Sequence, residues 1–179
     1  MDKYSDIELV SRAEGGDARA LQRLFERHYL TVYRLAYRWC GGREDAEDIA
    51  QEVFVKLERK LHTFRQKSSF RTWLYRIVVN TSRDFGRKRA ARKSMAAAFA
   101  EEQRLHNPVG NPGEALTVSR LQAAMEKLPR AQKEAVMLVT GEGLSHRDAA
   151  RVLGCRETTV SWRIFQARKK LKKSLEQEI

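Results

Sequence analysis

Between Asp45 and Arg89 two apolar stripes recur at helical spacing, and no glycine or proline interrupts the stretch before Gly86. Ile49, Val53, Leu57 and Leu61 line one side of the first helix, and Phe70, Trp73, Leu74, Ile77 and Val78 one side of the second. The second set mixes odd and even positions, which one face of a strand cannot bury and one side of a helix can. Each helix carries a different polar face. Asp45, Asp48 and Glu52 form an acidic rail on the first, and Arg76, Asn80, Arg83 and Arg87 a polar, cationic row on the second.

The segment between them, from Leu61 to Phe70, offers an aromatic, hydroxyls and cations without glycine or proline. Such a loop suits an extruded nucleotide, because a base presents a stacking face and an edge of hydrogen-bonding groups.

Lysine and arginine exceed aspartate and glutamate by 12 over the 179 residues, which makes a polyanion the expected partner. The chain is long enough for one large or two small cores. No long apolar run and no signal-peptide core are present, so no membrane insertion and a cytoplasmic location are expected. Cys40 and Cys155 stand apart, and His28, His62, His106 and His146 lack metal-ligand spacing. Reduced thiols and no metal follow as expectations. Carboxylates without a nucleophile, metal or phosphate loop do not make a catalytic site, so the chain is read as a non-enzyme without a cofactor.

Ser5 to Glu14 reads as a short helix with Ile7, Leu9 and Val10 inward, ended by Gly15-Gly16. Asp17 is placed to cap the next helix, whose apolar positions run from Leu21 to Trp39 and stop at Gly41-Gly42. Tyr29, Tyr33 and Tyr37 are assigned to packing at the core edge. Ser94 to Thr117 is a linker: Pro108 and Pro112 break it and it lacks an apolar period. Relaxed, about 24 residues span roughly 25–30 Å, and drawn out about 80 Å. Beyond it, Leu121, Ala124, Met125 and Leu128 form a stripe, and Ala135 to Val139 continue a buried helix after Pro129. Ser145 and Asp148 have capping-box spacing ahead of a short helix closed by Gly154. A longer helix from about Glu157 to Leu175 buries Val160, Ile164, Ala167 and Leu171, and ends in the basic run Arg168 to Lys173. Short helix, glycine turn and long helix make a helix-turn-helix.

DAEDIAQEVF followed by FRTWLYRIVVN resembles region two of bacterial sigma factors, specifically of the extracytoplasmic-function group. Leu153-Gly-Cys, Thr158-Thr-Val and Gln166-Ala-Arg are similar to region four of the same family. The resemblance implies an all-α protein of two small helical domains, with region two at 1–93, a flexible linker at 94–117 and region four at 118–179. The absence of a region-three domain and of an acidic N-terminal extension fits the compact extracytoplasmic-function group. Core RNA polymerase, promoter DNA and an anti-sigma factor are the partners it implies.

It also implies roles for residues. Asp48, Gln51 and Glu52 would dock on the clamp helices of the polymerase largest subunit, whereas the helix dipole alone accounts for first-turn acids and not for Gln51 and Glu52. Phe64, Ser68 and Ser69, closed by Asn80, would hold one flipped non-template base of the minus-ten element. Arg76, Arg83 and Arg87, with Lys88 and Arg89, would follow the backbone, and a solvated helix face is the competing reading of that row. On the last helix, Thr158, Thr159, Ser161, Trp162, Arg163, Phe165 and Gln166 are candidates for contact with the minus-thirty-five element. Arg163, Arg168 and Lys169 would reach phosphate. Many family members carry a basic residue at Ser161 and Gln166, so the sequence preferred here is expected to differ. The competing function is a stand-alone helix-turn-helix regulator of duplex DNA, which has no use for a base-holding loop.

Overall fold

The computed structural model describes residues 4–97, 120–121 and 123–176, and among the described residues no strand is found. They divide into two compact units, one on either side of the 98–119 stretch. The linker expectation for 98–117 lies outside the described residues.

In the first unit α1 (Asp6–Glu14) opens on a capping box: the Ser5 hydroxyl accepts from Glu8 N–H while the Glu8 carboxylate accepts from Ser5 N–H at 2.7 Å. The Ser5 N–H, and then the Ser5 hydroxyl donating to the same carboxylate at 2.8 Å, hold the Glu8 carboxyl below its usual range. Leu9 and Val10 are buried as expected, but Ile7 is exposed. Arg27 donates to Asp6 at 2.6 Å and ties α1 to α2 (Ala18–Cys40). Asp17 caps α2 by accepting from the Arg19 and Ala20 amides, and Gly41 ends it in the left-handed region at φ 75°.

α3 (Arg43–Lys60) and α4 (Phe70–Ala97) complete the unit, joined by a 3-10 turn at Leu61–Thr63 and a loop. Ile49, Val53, Leu57 and Leu61 are all buried. So are Phe70, Leu74, Ile77 and Val78, joined by Tyr75, Val79, Thr72, Thr81 and Ser82, so α4 is enclosed over most of its circumference through Ser82. It packs on both α2 and α3. It also runs past residue 93 to Ala97, so residues 94–97 of the expected linker are helical, as the strong helix propensity of Ala96 and Ala97 favours.

In the second unit α5 (Arg130–Val136) passes into a wider π-type turn at Met137–Gly141, followed by α6 (His146–Leu153) and α7 (Glu157–Glu176). α5 and α6 both pack against α7. Ala124, Leu128, Ala135 and Leu138 are buried, but Leu121 is exposed and Val139 only half-buried. The polar Gln132 and Glu134 are buried in α5, where Arg130 donates to Glu134 at 2.9 Å. The pairing lets a carboxylate sit inside, which apolar spacing does not reveal.

Candidate nucleic-acid interface

α3 places Asp48 and Gln51 fully on the outside, with Val55 one turn on and also exposed. Glu52 is half-buried and paired with Lys56 at 2.7 Å. Lys56 also donates to the buried Thr81 of α4 at 3.1 Å. The acidic rail therefore splits: Asp48 and Gln51 face outward, Glu52 braces α3 and α4, and Asp45 is paired with Arg89 from the second half of α4. Arg89, expected along a DNA backbone, serves this brace instead.

Beside that face Tyr29, Tyr33 and Tyr37 stack in a ladder along α2 with centroids 6.4 Å apart, and Tyr29 also stacks on Phe54 at 6.1 Å. They pack against one another, yet Tyr29 and Tyr37 are exposed, further from the core than assigned. Burial pushes the Cys40 thiol up, and its S–H donates weakly to the Gly42 carbonyl at 3.3 Å. A thiol so held is a poor nucleophile.

The loop differs from expectation in its walls. Phe64 is only 7% exposed and meets Phe70 edge-on at 5.5 Å and Trp73 at 5.5 Å. Its ring is core and presents no face to a base. Trp73, half-buried in the same cluster, is core as expected. Ser69 opens α4 as a cap, its hydroxyl accepting from Thr72 N–H at 3.1 Å and bonding the Thr72 hydroxyl at 2.8 Å. Ser68 is half-buried and donates to the Ser69 carbonyl at 3.3 Å. Gln66, between Phe64 and Ser68, adopts φ 55°, a left-handed conformation in a loop without glycine. No sequence signal marks it, because the constraint comes from the anchored ends, Phe64 in the core and Ser69 at the cap.

Along α4, Arg76 and Asn80 are exposed one turn apart. Arg83 is half-buried and engaged, and Arg87 is paired with Asp84. The outward strip of α4 therefore narrows to Arg76 and Asn80 before widening toward Arg87 and Lys88.

In the second unit Ser145 caps α6 by accepting from Asp148 N–H at 3.1 Å, and its hydroxyl donates to the Asp148 carboxylate at 2.7 Å. Gly154 turns the chain at φ 69°, in the left-handed region that an L side chain resists. α7 then buries Val160, Ile164 and Ala167. On its outer side Thr158, Ser161, Trp162, Phe165, Arg168 and Lys169 are exposed, and Thr159, Arg163 and Gln166 half-exposed. Trp162 and Phe165 are 59% and 64% exposed. Ser161 donates back to the Glu157 carbonyl at 3.2 Å and bonds His146 Nδ1 at 2.8 Å, a link across the turn that no spacing rule marks. Arg163 is held inward, donating toward Cys155 Sγ at 3.8 Å, and so is less available to phosphate than Arg168 and Lys169.

Among the described residues no cluster of side chains suits a metal, and no helix is long and apolar enough to cross a membrane. Sigma-70 region 2 matches residues 24–92, and Sigma-70, region 4 matches residues 119–171. The chain is 34% identical to the RNA polymerase sigma-H factor of Pseudomonas aeruginosa, over 98% of this chain and 96% of that protein. It is 32% identical to the ECF RNA polymerase sigma-E factor of Haemophilus influenzae, over 98% of this chain and 97% of that one. Among solved structures it is similar to CnrH in complex with the cytosolic domain of CnrY, at a TM-score of 0.71 and 28% identity over 96% of this chain and 97% of that chain.

Proposed function

The chain belongs to the sigma-70 family, in its extracytoplasmic-function group, and we propose that it joins core RNA polymerase, engages the minus-thirty-five and minus-ten elements of its promoters, and starts transcription by separating the strands. The observation that carries this reading is the pair of family matches, region two before region four, each falling on a unit with an outward polar helix. In this division of labour residues 1–93 act as region two, 94–117 connect, and 118–179 act as region four, with α4 extending to Ala97.

Asp48 and Gln51 present the polymerase-facing surface, with Glu52 bracing it through Lys56. Exposed side chains that take no part in packing are free to serve a partner. Arg76 and Asn80 meet the opened strand beside the Phe64–Ser69 loop, which offers the Ser68 hydroxyl and backbone groups to the flipped base while Ser69 caps α4; the stacking face must come from elsewhere than Phe64. Unstacking a base costs a few kcal/mol, which a fitted pocket and cationic phosphate contacts offset. Bond making belongs to the polymerase, and the site of action is the cytoplasm. An anti-sigma factor is a further expected partner, in keeping with CnrH being found with the cytosolic domain of CnrY.

The test begins with purified protein and bacterial core polymerase, scored for co-migration on a sizing column and then for promoter opening on a genomic fragment library. Stable association and a discrete set of opened fragments are expected. No association, with specific duplex binding by the protein alone, would instead assign it to stand-alone regulators. Asn80→Ala is expected to abolish opening while polymerase binding persists, and loss of both together would make Asn80 structural.

A further inference from the structure

Two large aromatic side chains stand in the open at the middle of a cationic helix face, and a solvated face gives no reason for either. Thr158, Trp162, Phe165 and Lys169 fall at i, i+4, i+7 and i+11 of α7, one line along the side opposite Val160, Ile164 and Ala167. Arg168 and Lys169 are exposed in its second half, and Lys170, Lys172 and Lys173 follow. The stripe is thus apolar at its centre and positive at its end, a complement to a polyanion that offers an apolar group. Duplex DNA has one such group in the major groove, the 5-methyl of thymine; the other base-edge groups there are hydrogen-bond donors and acceptors. Residues three apart on a helix advance about 4.5 Å along its axis, close to the roughly 3.4 Å between successive base pairs. Trp162 and Phe165 lie within the first turns of α7, the part of a recognition helix that reaches base edges.

We propose that Trp162 and Phe165 read the 5-methyl groups of thymines on neighbouring base pairs of the minus-thirty-five element, while Arg168 and Lys169 hold the flanking phosphates. This rests on the reading of α7 as the helix that enters the groove. Ser161, one position before Trp162, is pinned by His146 and Glu157, which leaves the two aromatics as the prominent adaptable groups on that line.

The experiment uses holoenzyme assembled from the full chain and bacterial core polymerase, on synthetic duplexes of a promoter it opens. Each thymine of the upstream element is replaced in turn by deoxyuridine, which removes only the methyl, and affinity is read at one fixed salt concentration. One or two neighbouring positions are expected to lose about fourfold in affinity, the value of one buried methylene, and the remainder to be unchanged. Trp162→Ala/Phe165→Ala holoenzyme is expected to bind thymine and deoxyuridine duplexes equally. Equal binding by the wild type at every position, or an upstream element without thymine, overturns the proposal even though promoters are still opened. Full discrimination retained by the double variant overturns it too and assigns the aromatic pair to a protein partner. Holoenzyme that opens promoters without protecting any upstream element would go against α7 as the groove helix, and failure to open any promoter would go against the sigma reading itself. Because the wild-type arm needs no substitution, a variant that folded poorly would leave the test decisive.

Discussion

The two helices proposed to meet DNA, α4 and α7, hold opposite structural positions. α4 is enclosed in the core of the first unit: Leu74, Tyr75, Val78 and Val79 are fully buried, and through Ser82 the helix leaves outward little more than Arg71, Arg76 and Asn80. α7 buries Val160, Ile164 and Ala167, half-buries Thr159, Arg163, Gln166, Leu171 and Ser174, and presents the rest of its surface. A helix that holds a core together offers few positions to a ligand, so each of those few matters. A helix that packs along one edge can distribute recognition over many side chains and can change them at little cost to folding.

Substitutions can break that contrast or sharpen it. Leu74→Ala, a truncation at a fully buried site, is expected to cost the first unit about 3 kcal/mol in denaturant unfolding; a loss no larger than that of a surface change would refute the view of α4 as part of that core. Ser69→Ala is expected to cost about 1 kcal/mol, the usual value of an N-cap, and to lower promoter opening only in proportion. A selective loss of opening at unchanged stability would return Ser69 to the base-holding role. Trp162→Ala and Phe165→Ala should each stay within about 0.5 kcal/mol of the wild type in stability, as surface positions do. A larger cost would mean that α7 is not open in solution. Alkylation of Cys40 by iodoacetamide at neutral pH should be slow in the folded protein and become fast in denaturant, since burial holds the thiol protonated.

Acid offers a finer comparison, between the capped starts of α1 and α2. The Asp17 carboxyl is held below its ordinary range, first by the Ala20 amide and then by Arg12. Its folded value lies below its unfolded value, so its contribution is complete above about pH 4, the unfolded carboxylate range, and disappears as pH falls through the lowered folded value. Asp17→Asn should therefore flatten the acid limb of the stability profile, and an unchanged limb would mean the cap is not formed in solution.

Much of this protein was legible residue by residue. The caps at Asp17 and Ser145, the turns at Gly41 and Gly154 and the stripes of α3 and α7 follow from groups within four positions of one another. The acidic and cationic faces were also visible as patterns, but not which of their members remain outward. Asp45 and Arg89 are far apart in the chain and pair across α3 and α4, and Glu52 turns to Lys56, so two of the charges expected to meet partners brace the unit instead.

The sequence by itself determined where α1, α2 and α6 begin and end, because capping, glycine turns and helical periodicity act between near neighbours along the chain. Only the tertiary structure decided which aromatics are core and which are surface. Phe64 sits in a loop with no period and is buried because Phe70 and Trp73 close on it, whereas Phe165 lies on a regular helix and stays exposed because α5 and α6 cover the other side. Burial depends on what arrives from elsewhere in the chain, and local spacing carries no record of that.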